Sequence, residues 1–116
     1  MYCLILTLGI FFMDHTVFAQ GTDLPLVPRP ESIKRGEGVF RFNANTELLF
    51  TDAKLGSEAG LFATLIEQLY GFRPVSKTAA ASRPNSIYLS LDGNASLGNE
   101  GYRLTVSTGE VVIQAR

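Results

Sequence analysis

Only one stretch of the chain carries the apolar period of a helix, and short runs with the period of a strand flank it on both sides. In residues 53–70, Leu55, Ala59, Phe62, Ile66 and Leu69 recur at three- or four-residue steps and fall within one narrow stripe of a helix. Ala63, Leu65 and Tyr70 widen that stripe. Ser57, Thr64, Glu67 and Gln68 occupy the opposite side, and Leu61 is the one large apolar residue outside it. Thr51 or Asp52 is placed to cap the start. At the end, Gly71 suits a left-handed position, Phe72 can fold back on the last turn, and Pro74 prevents continuation.

The flanking segments alternate. Val39, Phe40, Arg41 and Phe42 read as a half-buried strand, Asn43 to Asn45 as a turn, and residues 47–50 as a second short strand. Residues 76–85 are small and polar and read as a surface loop. Residues 86–91 form a strand rich in β-formers, 92–101 a long turn, and 102–107 with 111–115 a hairpin closed by Thr108, Gly109 and Glu110. The expected fold class is α+β, a mainly antiparallel sheet with an amphipathic helix packed on one face. One helix leaves part of the apolar sheet face wet, so we expect a second covering helix to be missing and the domain to be incomplete at its C-terminus.

The N-terminus has a separate character. Residues 4–12 form an apolar run too short to cross a bilayer, and Val17 and Ala19 put small or modest side chains where signal peptidase reads them. We therefore expect a signal peptide at residues 1–19, a mature chain starting at Gln20, and export to the periplasm or the extracellular space. No Lys or Arg precedes the run, which departs from the usual pattern. Cys3 and His15 are the only cysteine and histidine, and both lie inside this segment. The mature chain then has no residue for a disulfide, a Cys or His metal site, a thiol nucleophile or a Ser-His-Asp triad. Of eleven acidic residues the segment removes only Asp14, leaving ten against ten Lys and Arg. Net neutrality without a basic cluster argues against nucleic acid and anionic membrane as partners, and the mature chain holds no membrane span.

Carboxylates are the remaining chemistry. Glu58 and Glu67 stand nine residues apart, on opposite sides of the helix, and read as solvated surface charges rather than a catalytic pair. Asp92 and Glu100 bracket a glycine-rich turn whose spacing fits no calcium loop, and turn chemistry explains them. The glycine-flanked stretch 93–98 lacks the lysine and the strand-loop-helix setting of a phosphate loop. Asn94 begins a glycosylation triplet of the kind that arises by chance. Tyr70, Tyr88 and Tyr102 could stack on sugar rings if exposed, but sheet and core packing accounts for them. We assign no catalytic, cofactor-binding or metal-binding residue, and no cofactor.

The order of motifs is more specific than any one of them. LPLVPRPESI at 24–33, the stretch 36–42, Gly71 and Phe72 after the helix, and EGYRL at 100–104 leading into VVIQA at 111–115 together resemble the N-terminal domain of family 20 β-N-acetylhexosaminidases, the chitobiase-like enzymes. The resemblance covers essentially all of residues 20–116. It implies an exported enzyme in which this non-catalytic domain packs against a C-terminal β/α barrel, and glycan is bound only through that barrel. The barrel removes terminal non-reducing β-linked N-acetylhexosamine, with the substrate's acetamido oxygen as nucleophile and an Asp-Glu pair assisting. No position here matches that pair. The family's domain also continues past its last strand into a second helix on the same sheet face. Front domains of family 84 and family 67 glycosidases share the architecture, and a free carbohydrate-binding module is the non-enzymatic alternative.

Overall fold

Leu48 and Leu49 are fully buried and Phe50 nearly so, which means that the strand they form has both faces covered. That strand, β1 (Glu47–Phe50), is the axis of the fold. It leads through a short 3-10 turn (Ala53–Leu55) into α1 (Gly56–Tyr70), followed by β2 (Val75–Thr78), β3 (Ser86–Leu91), β4 (Tyr102–Val106) and β5 (Glu110–Ala115). This computed structural model describes Leu26 and residues 29–91 and 97–116. Every helix and strand among them belongs to the second of two units, Lys34–Arg116. The expected signal peptide, with Cys3 and His15, and the part of the long turn that holds Asp92 and Asn94 lie outside the described residues.

The helix ends as its sequence requires, but the expected cap at Asp52 serves the 3-10 turn, and α1 itself starts behind Leu55, which makes no side-chain capping bond. Asp52 stays extended and accepts the Lys54 backbone N–H at 2.9 Å, satisfying one of the first unpaired donors. Gly71 takes φ of 77° and donates its N–H to the Glu67 carbonyl at 2.9 Å, which closes the last turn. The face between these ends presents Ala59, Ala63 and Ile66 to the sheet. Ala59 and Ala63 meet Leu48, Phe50 and Ile87 in one core cluster. The two alanines let the helix axis approach the strands closely.

The sheet has the order β2-β1-β3-β5-β4, and its arrangement corrects the mainly antiparallel expectation. β1 pairs in parallel with β2 and with β3, and β3 pairs in parallel with β5; only β4 and β5 are antiparallel. Two causes explain the difference. A helix between β1 and β2 returns the chain to the starting end of the sheet, which makes the pair parallel. The segment expected to be a free loop contains β2 itself, and its remainder, residues 79–85, then runs back across the opposite face as an extended strap. Ala79 donates to the Phe50 carbonyl at the far end of β1, Tyr88 Oη donates to the Ala80 carbonyl at 3.0 Å, and Glu47 donates to the Asn85 carbonyl at the near end. Strand, strap, strand is thus a parallel crossover without a helix. The expected hairpin does form, with Leu104 opposite Ile113, but its second arm inserts beside β3.

Residues 39–42 form no strand, a second correction. Their alternation still reports one-sided burial, since Phe40 and Phe42 pack edge to face with each other and both against the core cluster, while Val39 and Arg41 are exposed. An extended segment without a ladder partner has the same period as a strand. Gly38 fixes its approach, with φ of 88° and an ideal Cβ that would lie 2.5 Å from Thr108 Cγ2 at the hairpin turn. This core predicts a contrast in unfolding free energy. Leu48→Ala empties a fully buried site and is expected to cost about 2–5 kcal/mol, whereas Leu104→Ala, at a half-exposed position of β4, costs far less; urea unfolding of both variants checks this.

Candidate functional site

Two places on the second unit combine polar chemistry or exposed apolar surface beyond what a solvated domain needs. The first is an asparagine node at the starting ends of the strands. Asn43 and Asn85 exchange side-chain amide bonds, Nδ2 to Oδ1 at 3.1 Å in one direction and 3.2 Å in the other. Thr46 Oγ1 donates to Asn85 Oδ1 at 2.9 Å and accepts the Asn43 N–H at 3.0 Å, and the Asn45 N–H donates to Asn43 Oδ1. The Asn85 backbone joins in, donating to the Gly109 carbonyl at 2.7 Å. Asn85 holds φ of 60°, a left-handed conformation that asparagine tolerates better than most residues.

A shallow depression of about 380 Å³ opens beside this node, lined by Val39, Phe40, Arg41, Asn43, Asn85, Thr108 and Gly109. Its two amide side chains already bond to each other, to Thr46 and to backbone, so they offer a ligand little unsatisfied capacity. The node is a structural lock, and sequence reading saw only turn residues there. The Asn43 to Thr46 spacing of a side-chain-bonded turn was the available signal.

Four of the carboxylates, Glu47, Asp52, Glu58 and Glu67, are occupied locally. Glu67 accepts from Arg73 Nη1 at 2.9 Å, and the same guanidinium reaches Thr64 Oγ1. Glu47 pairs with Lys77 across β1 and β2, and Asp52 caps the 3-10 turn. The Ser57 hydroxyl donates to Glu58 at 2.8 Å and, with the residue's own backbone N–H, holds this carboxyl below its usual range. A general acid needs the opposite shift, so Glu58 is unsuited to protonate a leaving group near neutral pH. Glu58 and Glu67 are both exposed, as expected. Among the described residues, no three of His, Cys, Asp and Glu gather into a metal-sized cluster. Glu100 lies among the described residues, whereas Asp92 does not.

The second place is the half of the sheet that α1 leaves open. Register puts Leu89, Ile113 and Leu104 on one row, and Leu91, Ala115 and Tyr102 on the next, all on the helix side. α1 lies against β1 and β2, and Leu91, Tyr102, Leu104 and Val106 stay 42–57% exposed. The tyrosines divide. Tyr88 is buried, as packing predicts; Tyr70 is exposed but lays one ring face on Phe42 at 6.0 Å and 9°; Tyr102 stands on the open apolar half.

The described residues thus form a small mixed α+β sheet layer with one helix, four carboxylates held in caps, ion pairs and local bonds, and an apolar half-face left open. The chain matches glycosyl hydrolase family 20, domain 2, over residues 23–116, and it belongs to that family. No curated protein matches it. The node supplies the prediction for this site. Asn85→Gly keeps the left-handed backbone but removes the side-chain bonds, and about 1–2 kcal/mol of stability should be lost; Asn85→Ala should lose more, because alanine also resists that conformation, by about 1 kcal/mol. Paired denaturation curves measure both.

Proposed function

We propose that this chain is the non-catalytic N-terminal domain of an exported β-N-acetylhexosaminidase, whose catalytic barrel hydrolyses terminal non-reducing β-linked N-acetylhexosamine. The family 20 match over residues 23–116 carries the reading. The local use of Glu47, Asp52, Glu58 and Glu67 supports it, since these groups hold the fold together rather than converge on a substrate. Chemistry then belongs to a barrel in the same polypeptide, and this domain contributes packing. The family match favours this over a family 84 or family 67 parent. Exposed Tyr70 and Tyr102 are the observation that would favour a free carbohydrate-binding module, and the family match weighs against it.

The open half-face fits the same reading. Three strands at roughly 4.8 Å spacing leave a width close to the roughly 10 Å diameter of one helix. A second helix of the same domain, laid on Leu91, Leu104 and Ile113, would complete the layer that α1 begins.

Expression of the full reading frame that contains this domain tests the activity. Release of nitrophenol from p-nitrophenyl N-acetyl-β-glucosaminide is expected from that protein, and none from residues 20–116 alone. A full-frame product without glycosidase activity overturns the proposal, as does hydrolysis by the purified domain. N-terminal sequencing of the protein recovered outside the cytoplasm should begin at Gln20, within a few residues; recovery with Met1 still in place overturns the export assignment.

A further inference from the structure

We propose that the free edge of β4 is a self-pairing surface, by which two copies of this chain join their sheets through antiparallel β4 strands. β4 closes one side of the β2-β1-β3-β5-β4 sheet, and all five of its residues are exposed. The Ser107 N–H donates to the Glu110 carbonyl at 2.9 Å, so the pair at the hairpin turn is a hydrogen-bonded one. Antiparallel ladders alternate bonded and non-bonded pairs, and the register continues from this pair without a bulge. Arg103 and Thr105 therefore turn their backbone groups to β5, whereas Tyr102, Leu104 and Val106 turn theirs outward. Sheet edges are ordinarily guarded by proline, lysine or a bulge. The opposite edge has such guards, since Pro74 precedes β2 and Lys77 lies within it. β4 has none of them.

The sequence of β4 selects the occupant. When two copies are laid antiparallel with Leu104 opposite Leu104, every outward residue of one meets an outward residue of the other, and backbone bonds form along the whole strand. Tyr102 then faces Val106 of the second copy on the helix side, an aromatic and a β-branched residue of the kind that pairs well across strands. On the other side of the sheet Arg103 faces Thr105, so the one charge of the strand does not meet its like. Neighbouring registers lose this fit. A shift that keeps the outward residues in step either sets Arg103 opposite Arg103 or leaves only Leu104 and Val106 paired. A shift by one residue puts outward groups against groups already spent on β5. The strand is thus complementary to itself in one register, and this holds whatever reaction the full polypeptide performs.

Mixed-disulfide trapping in the full-frame protein tests the pairing. Arg103 and Thr105 of opposed copies form a non-hydrogen-bonded pair, whose Cα separation of roughly 4.5 Å lies within disulfide range. Copies carrying Arg103→Cys are mixed with copies carrying Thr105→Cys and mildly oxidised, and the joined peptides are mapped by mass spectrometry. A 103–105 link in the mixture, several-fold more abundant than the symmetric link in either variant alone, is the expected result. Sedimentation supplies a second readout. The unmodified protein is expected to dimerise, Thr105→Arg to weaken the dimer about ten-fold by setting arginine opposite arginine, and the exchange of Arg103→Thr with Thr105→Arg to restore it. Both positions are exposed, so these changes leave the core of the domain intact. A monomer at every concentration, a dimer indifferent to Thr105→Arg, or a mixture without the 103–105 link overturns the assignment. Linkage of either cysteine to another segment of its own chain overturns it too.

Discussion

The fold depends on a common starting line for its three central strands. Parallel strands have no tight turn to set their register, so another contact must do it. Here Glu47, Ser86 and Glu110 stand side by side as the first residues of β1, β3 and β5. Immediately before them, Asn43, Thr46 and Asn85 tie the preceding turns together, and Asn85 reaches the hairpin turn through the Gly109 carbonyl. A one-residue slip would move Leu48, Ile87 and Val111 off the helix side and break these amide bonds at the same time.

With register fixed, each face acquires a different cover. On one, α1 seals β1 and β2 through small residues, and the tertiary contact gives a short helix the stability that its length does not supply. On the other, the strap of residues 79–85 crosses β1, with Tyr88 Oη bonded to the Ala80 carbonyl and Ser86 Oγ bonded to the Arg83 carbonyl at 2.6 Å. Leu49 is buried beneath this side although no helix lies there. The sheet is consequently well covered at β1 and thinly covered at β4, all of whose residues are exposed.

That asymmetry connects the architecture to the proposed role. A domain that performs chemistry collects polar groups at one end of its strands and leaves some unsatisfied for substrate. Among the described residues, this one bonds Asn43, Thr46 and Asn85 to one another at the starting ends of its strands and leaves apolar surface open on the β5 and β4 half of the sheet and along α1. Surface of that kind is suited to burial against protein, and the family to which the chain belongs provides for it a multidomain hydrolase.

The amino-acid sequence by itself determined the local elements: the helical segment from Asp52 to Gly71, the strands at 47–50 and 86–91, the hairpin closed at Gly109, and the incomplete cover of the sheet. Each rests on periodicity or turn chemistry within a few residues, and the ordered motifs were enough to point to family 20. Strand direction was not legible, because residues 76–85 look the same in sequence whether they form a free loop or a strand followed by a strap. The alternation of residues 39–42 suggested a strand for the same reason: period records which side is buried, not whether a ladder partner exists. The node was hidden because Asn43 and Asn85 lie 42 residues apart, and only the tertiary structure brings their amides within bonding distance.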